Sequence, residues 1–188
     1  MRNADSTQYH LTTLWQFEAP LEAVWDAILH AEAWPSWWTG VERVVTLEHG
    51  DASGLGTRRR CNCKSVLPYR LSFVTCVTRV EPLHLLEGRV DGELEGIGRC
   101  YFGCKEGVTT VRYDWQVRTT RWWMNLLAPL ARPLFRWNHD AIMHSGGVGL
   151  ARHLRARAVS PAGLPSILRY AATANVAAAR DSEPSGER

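Results

Sequence analysis

The stretch PLFRWNHDAIMHSGGVGLARHLRARA, residues 133–158, decides how the rest of this chain is arranged. It reads as one helix of about 25 residues, which extends roughly 38 Å at 1.5 Å per residue. A helix of that length is unusual in a small domain unless a large surface packs along it. We therefore expect a long C-terminal helix laid across a sheet.

Two apolar stripes run along the longer stretch from about residue 121 to residue 158. The first follows the 3.6-residue period of a helix and consists of Leu127, Leu130, Leu134, Trp137, Ala141 and Val148. The second lies nearly opposite and consists of Met143, Gly147, Leu150 and Leu154. Because a straight helix cannot bury both stripes against one surface, either its axis bends near Gly146 or its two halves contact different neighbours. The first half is predicted to cover something other than a tight core, with Arg136 and His139 facing solvent.

Upstream of the helix, the hydrophobic period changes to that of strands. Seven segments rich in β-forming residues are predicted as strands: 9–17, 41–47, 57–66, 69–80, 83–90, 97–104 and 108–118. Two short helices, over residues 20–31 and 33–39, fall between the first two strands, and Pro20 suits the first helical position. Short separators such as Asp91-Gly92 and Glu106-Gly107 predict an antiparallel meander.

This order of elements predicts the α+β class. A seven-stranded antiparallel sheet curls, and a long helix against its concave face leaves a cavity between them. We predict a curved seven-stranded antiparallel sheet wrapped round the C-terminal helix, in a single domain over residues 9–158. Residues 1–8 are predicted to form a flexible N-terminus, and residues 159–188 a tail that is part helical and then disordered.

The composition limits the classes of binding partner and indicates the cellular compartment. The chain of 188 residues carries a net charge of +3, too small to argue for nucleic acid, and no nucleic acid partner is predicted. Its first residues are polar and form no secretory signal, and its five cysteines are an odd number, so we predict reduced thiols and a cytoplasmic location. No apolar run approaches the roughly 18 residues that span a bilayer.

Several local strings resemble one superfamily. They are Ala19-Pro20, Val24-Trp25, Trp34-Pro35-Ser36-Trp37-Trp38, Leu67-Pro68-Tyr69, Gly92-Glu93-Leu94-Glu95-Gly96, Tyr113-Asp114-Trp115 and Trp137-Asn138-His139-Asp140. With the order of elements, they resemble the START-like, Bet v 1-like (SRPBCC) superfamily and its helix-grip fold, and within it the polyketide cyclase/dehydrase and lipid-transport group. The resemblance covers roughly residues 9–155. It implies a deep, largely apolar cavity for a hydrophobic small molecule, but not catalysis, because relatives range from cyclases to passive carriers.

Three functions stay open as alternatives. The first is a carrier that binds a lipid, a quinone or a polyketide-like molecule between sheet and helix. The second is an enzyme, a cyclase, aromatase or dehydratase that promotes aldol cyclisation or dehydration in the same cavity. The third is transient contact with a membrane surface through a rim of Trp34, Trp37 and Trp38, for which plain core filling is the other interpretation. No cofactor is predicted.

Alternation along the last strand predicts the sheet side of the cavity. Val111, Tyr113, Trp115 and Val117 share the face towards it. The Tyr113 hydroxyl can hold a ligand carbonyl or phenol, or it can bond to backbone or water in a core. The other predicted ligand contacts are Phe73, Leu134, Trp137, Asn138, Ala141, Trp37 and Trp38.

For the enzyme alternative, His144 is the predicted general base, acting on an acidic carbon. Asp140 lies one helical turn earlier, where it can orient the imidazole ring. Asp140, His144 and Tyr113 are therefore the predicted catalytic residues. A satisfied structural histidine is the other interpretation of His144.

Two motifs lie in the third strand, a run of three arginines and a pair of cysteines. One side chain of the run Arg58-Arg59-Arg60 is expected to face inward, where it pairs with a glutamate (Glu87, Glu93 or Glu95) or binds the anionic end of a ligand. A solvated edge is the other interpretation. Cys61 and Cys63 share a strand face, but no second cysteine pair or histidine cluster lies near them, so no metal site is predicted.

A glycine-rich string inside the long helix has a packing explanation. Gly146-Gly147-x-Gly149 lacks the preceding strand and the lysine of a phosphate-binding loop. We interpret it as close packing of the helix on the sheet.

Overall fold

The computed structural model describes residues 8–64, 69–120 and 128–158, with side chains from 133 to 156 in the last range. Strand β1 (Gln8–Phe17) is followed by helix α1 (Leu21–Leu29), a 3-10 turn (Ala31–Ala33) and helix α2 (Trp34–Trp37). The remaining elements are β2 (Val41–Glu48), β3 (Arg58–Lys64), β4 (Arg70–Glu81), β5 (Leu85–Gly92), β6 (Leu94–Lys105), β7 (Val108–Thr119) and α3 (Ala128–Ala158).

The seven strands form one antiparallel sheet. Its order is β1-β7-β6-β5-β4-β3-β2, so the meander from β2 to β7 is completed by β1 at the far edge. At the β6–β7 hairpin, Glu106 and Gly107 have positive φ angles of 54° and 79°, which lets a two-residue turn match the twist of the strands. The predicted α+β fold, with seven antiparallel strands and a long C-terminal helix, is confirmed.

The boundaries of the elements follow the sequence closely, with one exception. Predicted and observed strand ends differ by no more than three residues where they can be compared. Helix α3 begins at Ala128 and contains Pro133, so the predicted start at Pro133 is wrong. A proline inside a helix removes one backbone hydrogen bond and does not always end the helix. Residues 65–66 of the third predicted strand, the N-terminal residues 1–7 and the predicted tail 159–188 lie outside the described residues.

Helix α3 buries one continuous stripe instead of two. Its buried and half-buried members follow the helical period and are Phe135, Asn138, Ile142, Gly146, Leu150 and Leu154. Leu134 and Trp137 are 45% and 52% exposed, so the first predicted stripe is wrong at these positions. Ala141 and Val148 are half-buried, and the side chains of Leu127 and Leu130 lie outside the described residues. The error has a physical cause: the buried face carries an amide and glycines, and the more hydrophobic Leu134 and Trp137 dominate the pattern from the outer side.

The densely packed core lies between the short helices, the sheet and the second half of α3. Trp15, Phe17, Val24, Val111 and Leu150 are at most 2% exposed within it. The second predicted stripe of α3, which includes Met143 and Leu154, is buried as expected. The first half of α3 lies over a cavity.

Two glycines allow α3 to pack closely against Trp37, the last residue of α2, and Trp38, the residue after it. A Cβ on Gly149 would lie 1.7 Å from the carbonyl oxygen of Trp37, and one on Gly146 would lie 2.5 Å from the Trp38 ring. Trp38 Nε1 donates a hydrogen bond to the carbonyl oxygen of Ile142 at 2.9 Å. Close packing therefore explains the glycines, but the partner is the Trp37–Trp38 segment and not the sheet.

The clustered tryptophans belong to the core. Trp37 and Trp38 are 7% and 6% exposed and stack with ring centroids 5.6 Å apart. Trp34 is half-buried against the same core. Trp37 and Trp38 therefore do not form an exposed rim, and transient membrane contact through this cluster stays a prediction. Among the described helices, none is long and apolar enough to cross a membrane.

Candidate functional site

A cavity of about 160 Å³ lies between the sheet and the first half of α3. The side chains around it come from both sheet edges, the centre of the sheet, α2 and α3. They are Tyr9, Leu11, Trp34, Trp38, Val41, Cys61, Cys63, Tyr69, Leu71, Phe73, Thr75, Leu94, Tyr113, Trp115, Val117, Thr119, Phe135, Asn138, His139, Ile142 and Met143. Within the described part of the chain, no Asp, Glu, Lys or Arg lines this cavity. The space can therefore accept an uncharged, largely apolar guest.

The sheet side of the cavity is an aromatic wall. Phe73 and Tyr113 flank Trp115, with ring centroids 6.1 Å and 5.5 Å from it. Val117 continues the wall along β7. The predicted inward face of the last strand is confirmed for Tyr113, Trp115 and Val117. Val111, on the same face, lies deeper and packs in the core with no exposed surface.

Tyr113 and Trp115 also separate the cavity from a smaller chamber of about 70 Å³ under α1 and the 3-10 turn. Gly98 on β6 is paired with Trp115, and a Cβ there would lie 3.5 Å from the Tyr113 hydroxyl and 3.8 Å from the Trp115 ring. The rings of Tyr113 and Trp115 therefore pack over the backbone of Gly98, which has no side chain. Burial raises the pKa of Tyr113 well above its usual value of 10.0, so the hydroxyl stays protonated at neutral pH.

The helix side of the cavity carries its polar groups. Phe135 packs edge-on between the rings of Tyr9 and Tyr69, at centroid distances of 5.7 Å and 6.5 Å. Asn138, which is 4% exposed, donates from Nδ2 to the Tyr69 hydroxyl at 3.4 Å. One turn of α3 therefore forms the polar end of the cavity. This turn packs against Tyr9 of β1 and against Tyr69.

His139 occupies this polar end, although the sequence pattern placed it towards solvent. Its side chain is 16% exposed, and Nδ1 lies 3.3 Å from Oδ1 of Asp140. Burial lowers the pKa of His139, and the hydrogen bond and charge of Asp140 only partly oppose that effect. The imidazole is therefore neutral at pH 7. The Nε2 atom is buried without a hydrogen-bond partner.

The predicted catalytic residues are not brought together. His144 is exposed and lines an open groove between α2 and α3, next to Trp37, Ser145 and Arg152, on the outside of the cavity. Asp140 contacts His139, its neighbour in sequence. Only Tyr113 of the predicted set lines the cavity, so the structure associates Asp140 with a different histidine from the one predicted.

Some of the predicted ligand contacts line the cavity and others do not. Phe73, Trp115, Val117, Asn138 and Trp38 line the cavity. Leu134 and Trp137 lie on the outer side of α3, Ala141 is absent from the cavity wall, Val111 is in the core and Trp37 faces the outer groove. Sequence reasoning missed Tyr9, Tyr69, Phe135 and His139. The string Trp137-Asn138-His139-Asp140 contains the signal for His139, but the hydrophobic period favours Trp137, two residues earlier, as an inward residue.

Two thiols lie in the cavity wall. Burial raises the pKa of Cys61 to about 11 and that of Cys63 to about 12, so both are protonated and behave as small apolar groups. Among the described residues, no group of three or more His, Cys, Asp or Glu side chains is arranged to hold a metal ion.

Arg59 is the inward member of the arginine run. Its side chain is 13% exposed, lines the smaller chamber and lies with Nε 2.9 Å from Oε1 of Glu32. The predicted partners Glu87, Glu93 and Glu95 are wrong for this arginine, since Glu32 approaches it from the 3-10 turn. The approach is a tertiary contact that strand alternation cannot reveal.

Comparison with known proteins identifies the family. The model of the family described as polyketide cyclase/dehydrase and lipid transport matches residues 9–155. The chain belongs to this family. The match spans the sheet except for its first residue, Gln8, and all but the last turn of α3, and it confirms the resemblance seen in the sequence.

Solved structures similar to this family member show the same fold at low identity. The Zhui aromatase/cyclase from Streptomyces sp. R1128 has a TM-score of 0.67 and 13% identity, over 84% of this chain and 99% of that one. A START superfamily protein from Mycobacterium smegmatis has a TM-score of 0.63 and 12% identity, over 80% and 99%. The ginseng major latex-like protein 151 from Panax ginseng has a TM-score of 0.57 and 8% identity, over 79% and 98%. No curated protein matches the sequence at a significant level.

Proposed function

We propose that this protein binds a hydrophobic small molecule in the cavity between the sheet and α3. The uncharged wall is the observation that carries the proposal, because aromatic, aliphatic and thiol groups surround a space that is not filled by side chains. A guest that covers this surface gains about 25 cal/mol for each Å² of apolar area removed from water. Lipids, quinones and polyketide-like molecules are the classes that the family and the wall chemistry suggest.

The volume favours a compact guest. A dry cavity of about 150 Å³ holds benzene, whereas pockets for drug-sized ligands measure about 300–1,000 Å³. At about 160 Å³, the cavity accepts one or two rings without rearrangement. A longer chain exceeds this volume.

A blocking substitution tests the site. Cys63→Phe places a ring in the cavity wall and is expected to abolish ligand binding, because its larger side chain occupies the space of the guest. Cys104→Phe, at an exposed position on β6, is the matched control and is expected to bind like the wild type. Native mass spectrometry of both variants and the wild type, purified from the natural host, would show the bound mass. A ligand retained by Cys63→Phe would contradict the proposed site.

A cyclase or dehydratase activity in the same cavity is the second candidate. The pair of Asp140 and His139 favours it, because a neutral imidazole oriented by a carboxylate is suited to general base catalysis. In such a reaction, the His139 imidazole takes the proton from a carbon between two carbonyl groups, and the enolate carbon attacks a carbonyl in aldol closure. Tyr113, across the cavity, can donate its hydroxyl hydrogen to the oxygen that gains charge.

Hydrogen exchange separates an enzyme from a carrier. The wild type is expected to accelerate exchange of the central hydrogens of 1-phenylbutane-1,3-dione in D₂O, followed by NMR. His139→Gln should lower the protein-dependent rate by about a hundredfold, at the lower end of general base effects. His144→Gln, on the outer groove, should keep it. Equal rates in all three proteins, with the diketone bound, would leave a carrier as the only function of the cavity.

A further inference from the structure

The two edges of the sheet differ in how they are protected against pairing with another strand. Native proteins protect an edge strand with charged side chains, proline, bulges or a covering segment. β2, at one edge, carries Glu42, Arg43 and Glu48, and its pairing with β3 contains two register shifts. The Thr46 hydroxyl also donates a hydrogen bond to Glu32 of the 3-10 turn, which packs against this strand. The β2 edge is therefore protected.

β1, at the opposite edge, lacks the charges, the proline and the bulges. Its sequence, QYHLTTLWQF, contains no Asp, Glu, Lys, Arg or Pro. All ten residues pair with β7 in one unbroken antiparallel register. Within the described part of the chain, no backbone group of residues 10–16 makes a backbone hydrogen bond outside this ladder. β1 is thus a long, regular edge, and its side chains His10 and Thr12 are exposed.

The free side of β1 presents a row of backbone donors and acceptors. In an antiparallel pair, residues that exchange both hydrogen bonds with the partner alternate with residues whose N–H and C=O point the other way. Over a strand of this length, about five residues therefore direct their backbone groups away from β7. A second extended strand would satisfy these groups along the whole edge, in place of water.

The side chains of β1 suit a second copy of the same strand. Antiparallel pairing about a twofold axis places residues of the same sheet face opposite each other. Since β1 contains no Asp, Glu, Lys or Arg, no register sets such charges of the same sign opposite each other. With the axis at Thr12, the two Thr12 side chains meet, which is a favourable cross-strand pair, and His10 lies opposite Leu14 of the copy.

We propose that two copies of this chain pair antiparallel through β1, so that two sheets of seven strands become one continuous sheet of fourteen. This assembly goes beyond the binding of a guest and does not depend on it. β1 also supplies Tyr9 and Leu11 to the cavity wall, so the two cavities of the dimer lie on either side of the joint.

Sedimentation velocity over a range of protein concentrations tests the pairing. The wild type is expected to form a dimer. His10→Lys is expected to raise the dimer Kd about tenfold, because the ammonium group loses water at the joint and finds no acidic side chain on the opposing strand. Leu47→Lys adds the same charge at an exposed position of β2, the other edge. It is the matched control and should form a dimer like the wild type.

Hydrogen–deuterium exchange locates the interface. The amides of residues 10–16 should exchange more slowly as the protein concentration rises, whereas those of residues 41–48 should not change. A circular dichroism spectrum like that of the wild type would show that His10→Lys is folded.

Three results would overturn the inference. They are a wild type that stays monomeric at every concentration, as expected if the edge takes a strand of another protein, a dimer that His10→Lys leaves unchanged, and protection that rises in β2 instead of β1. The proposed binding function would stand in each case, because the Cys63→Phe experiment tests it separately.

Discussion

The pKa of Glu32 lies far below its usual range because hydrogen bonds outweigh the effect of burial. Glu32 accepts hydrogen bonds from the Thr46 hydroxyl and from Nε of Arg59. Partial burial raises its pKa, but these hydrogen bonds and the charge of Arg59 outweigh burial and lower the pKa to about 2. The carboxylate therefore ties the 3-10 turn to β2 and β3 at the edge of the smaller chamber.

Replacing this carboxylate should change acid stability. Because the pKa of Glu32 falls from 4.5 to about 2 on folding, its contribution is present above pH 4.5 and is lost as the pH falls through the folded value. Glu32→Gln is expected to lose about 1 kcal/mol of stability at pH 7, since the pair is partly exposed and screened. The variant should also show a smaller loss between pH 4.5 and 2 than the wild type, measured by urea unfolding. Glu106→Gln, at an exposed turn, should match the wild type at every pH.

His139 should also lose stability as the pH falls, but in a higher pH window than Glu32. Its pKa is lowered from 6.5 in the folded state, so the unfolded chain binds a proton first as the pH falls. Stability should therefore decrease below about pH 6.5, by at most about 1.4 kcal/mol per pH unit, until the folded pKa is reached. His139→Gln should lack this decrease in urea titrations at pH 7.5 and 5. The same slope in His139→Gln and in the wild type would show that the histidine does not titrate on folding.

Among the elements, α3 has two halves with different tasks. From Met143 to Leu154 its buried residues complete the core, and Gly146 and Gly149 let it contact the Trp37–Trp38 segment. From Phe135 to Ile142 it covers the cavity. One helix thus completes the core at one end and covers the cavity at the other.

The glycine contact makes a sharp prediction for stability. A methyl group on Gly149 would lie 1.7 Å from a backbone oxygen, which no side-chain rotation can relieve. Gly149→Ala is expected to destabilise the protein by about 3 kcal/mol or more, the upper range for overpacked cores. Gly103→Ala on β6, where a Cβ meets nothing within 4 Å, is the matched control. Thermal unfolding followed by circular dichroism would measure both, and similar melting temperatures would contradict the close approach of α3.

For the whole molecule, the sheet and α3 together form the cavity, so a guest should stabilise the fold. A ligand that binds only the folded state adds about 2.7 kcal/mol of stability at a concentration 100 times its Kd. We expect 2-naphthol to raise the melting temperature in proportion to the logarithm of its concentration. Cys63→Phe should show no such rise, whereas Cys104→Phe should behave like the wild type. A rise of equal size in both variants would place the binding site outside the cavity.

Much of this architecture could be predicted from local patterns. Alternation along β7 identified Tyr113, Trp115 and Val117 as cavity residues, because side chains in a strand point to opposite faces in turn. Turn residues such as Glu106-Gly107 correctly indicated where one strand ends and the next begins. The buried face of α3 was harder to predict, since a stripe that contains Asn138 and glycines has a weak hydrophobic period.

By itself, the sequence determined the α+β fold, the order of its elements, the family and the aromatic side of the cavity. These depend on hydrophobic period and turn chemistry, which act over a few neighbouring residues. The tertiary structure alone decided that His139, not His144, meets the cavity, that Arg59 pairs with Glu32, and that α3 packs on Trp37 and Trp38. Each of these depends on the rotation of a helix or on the approach of distant segments, and packing sets both by filling space across the whole molecule.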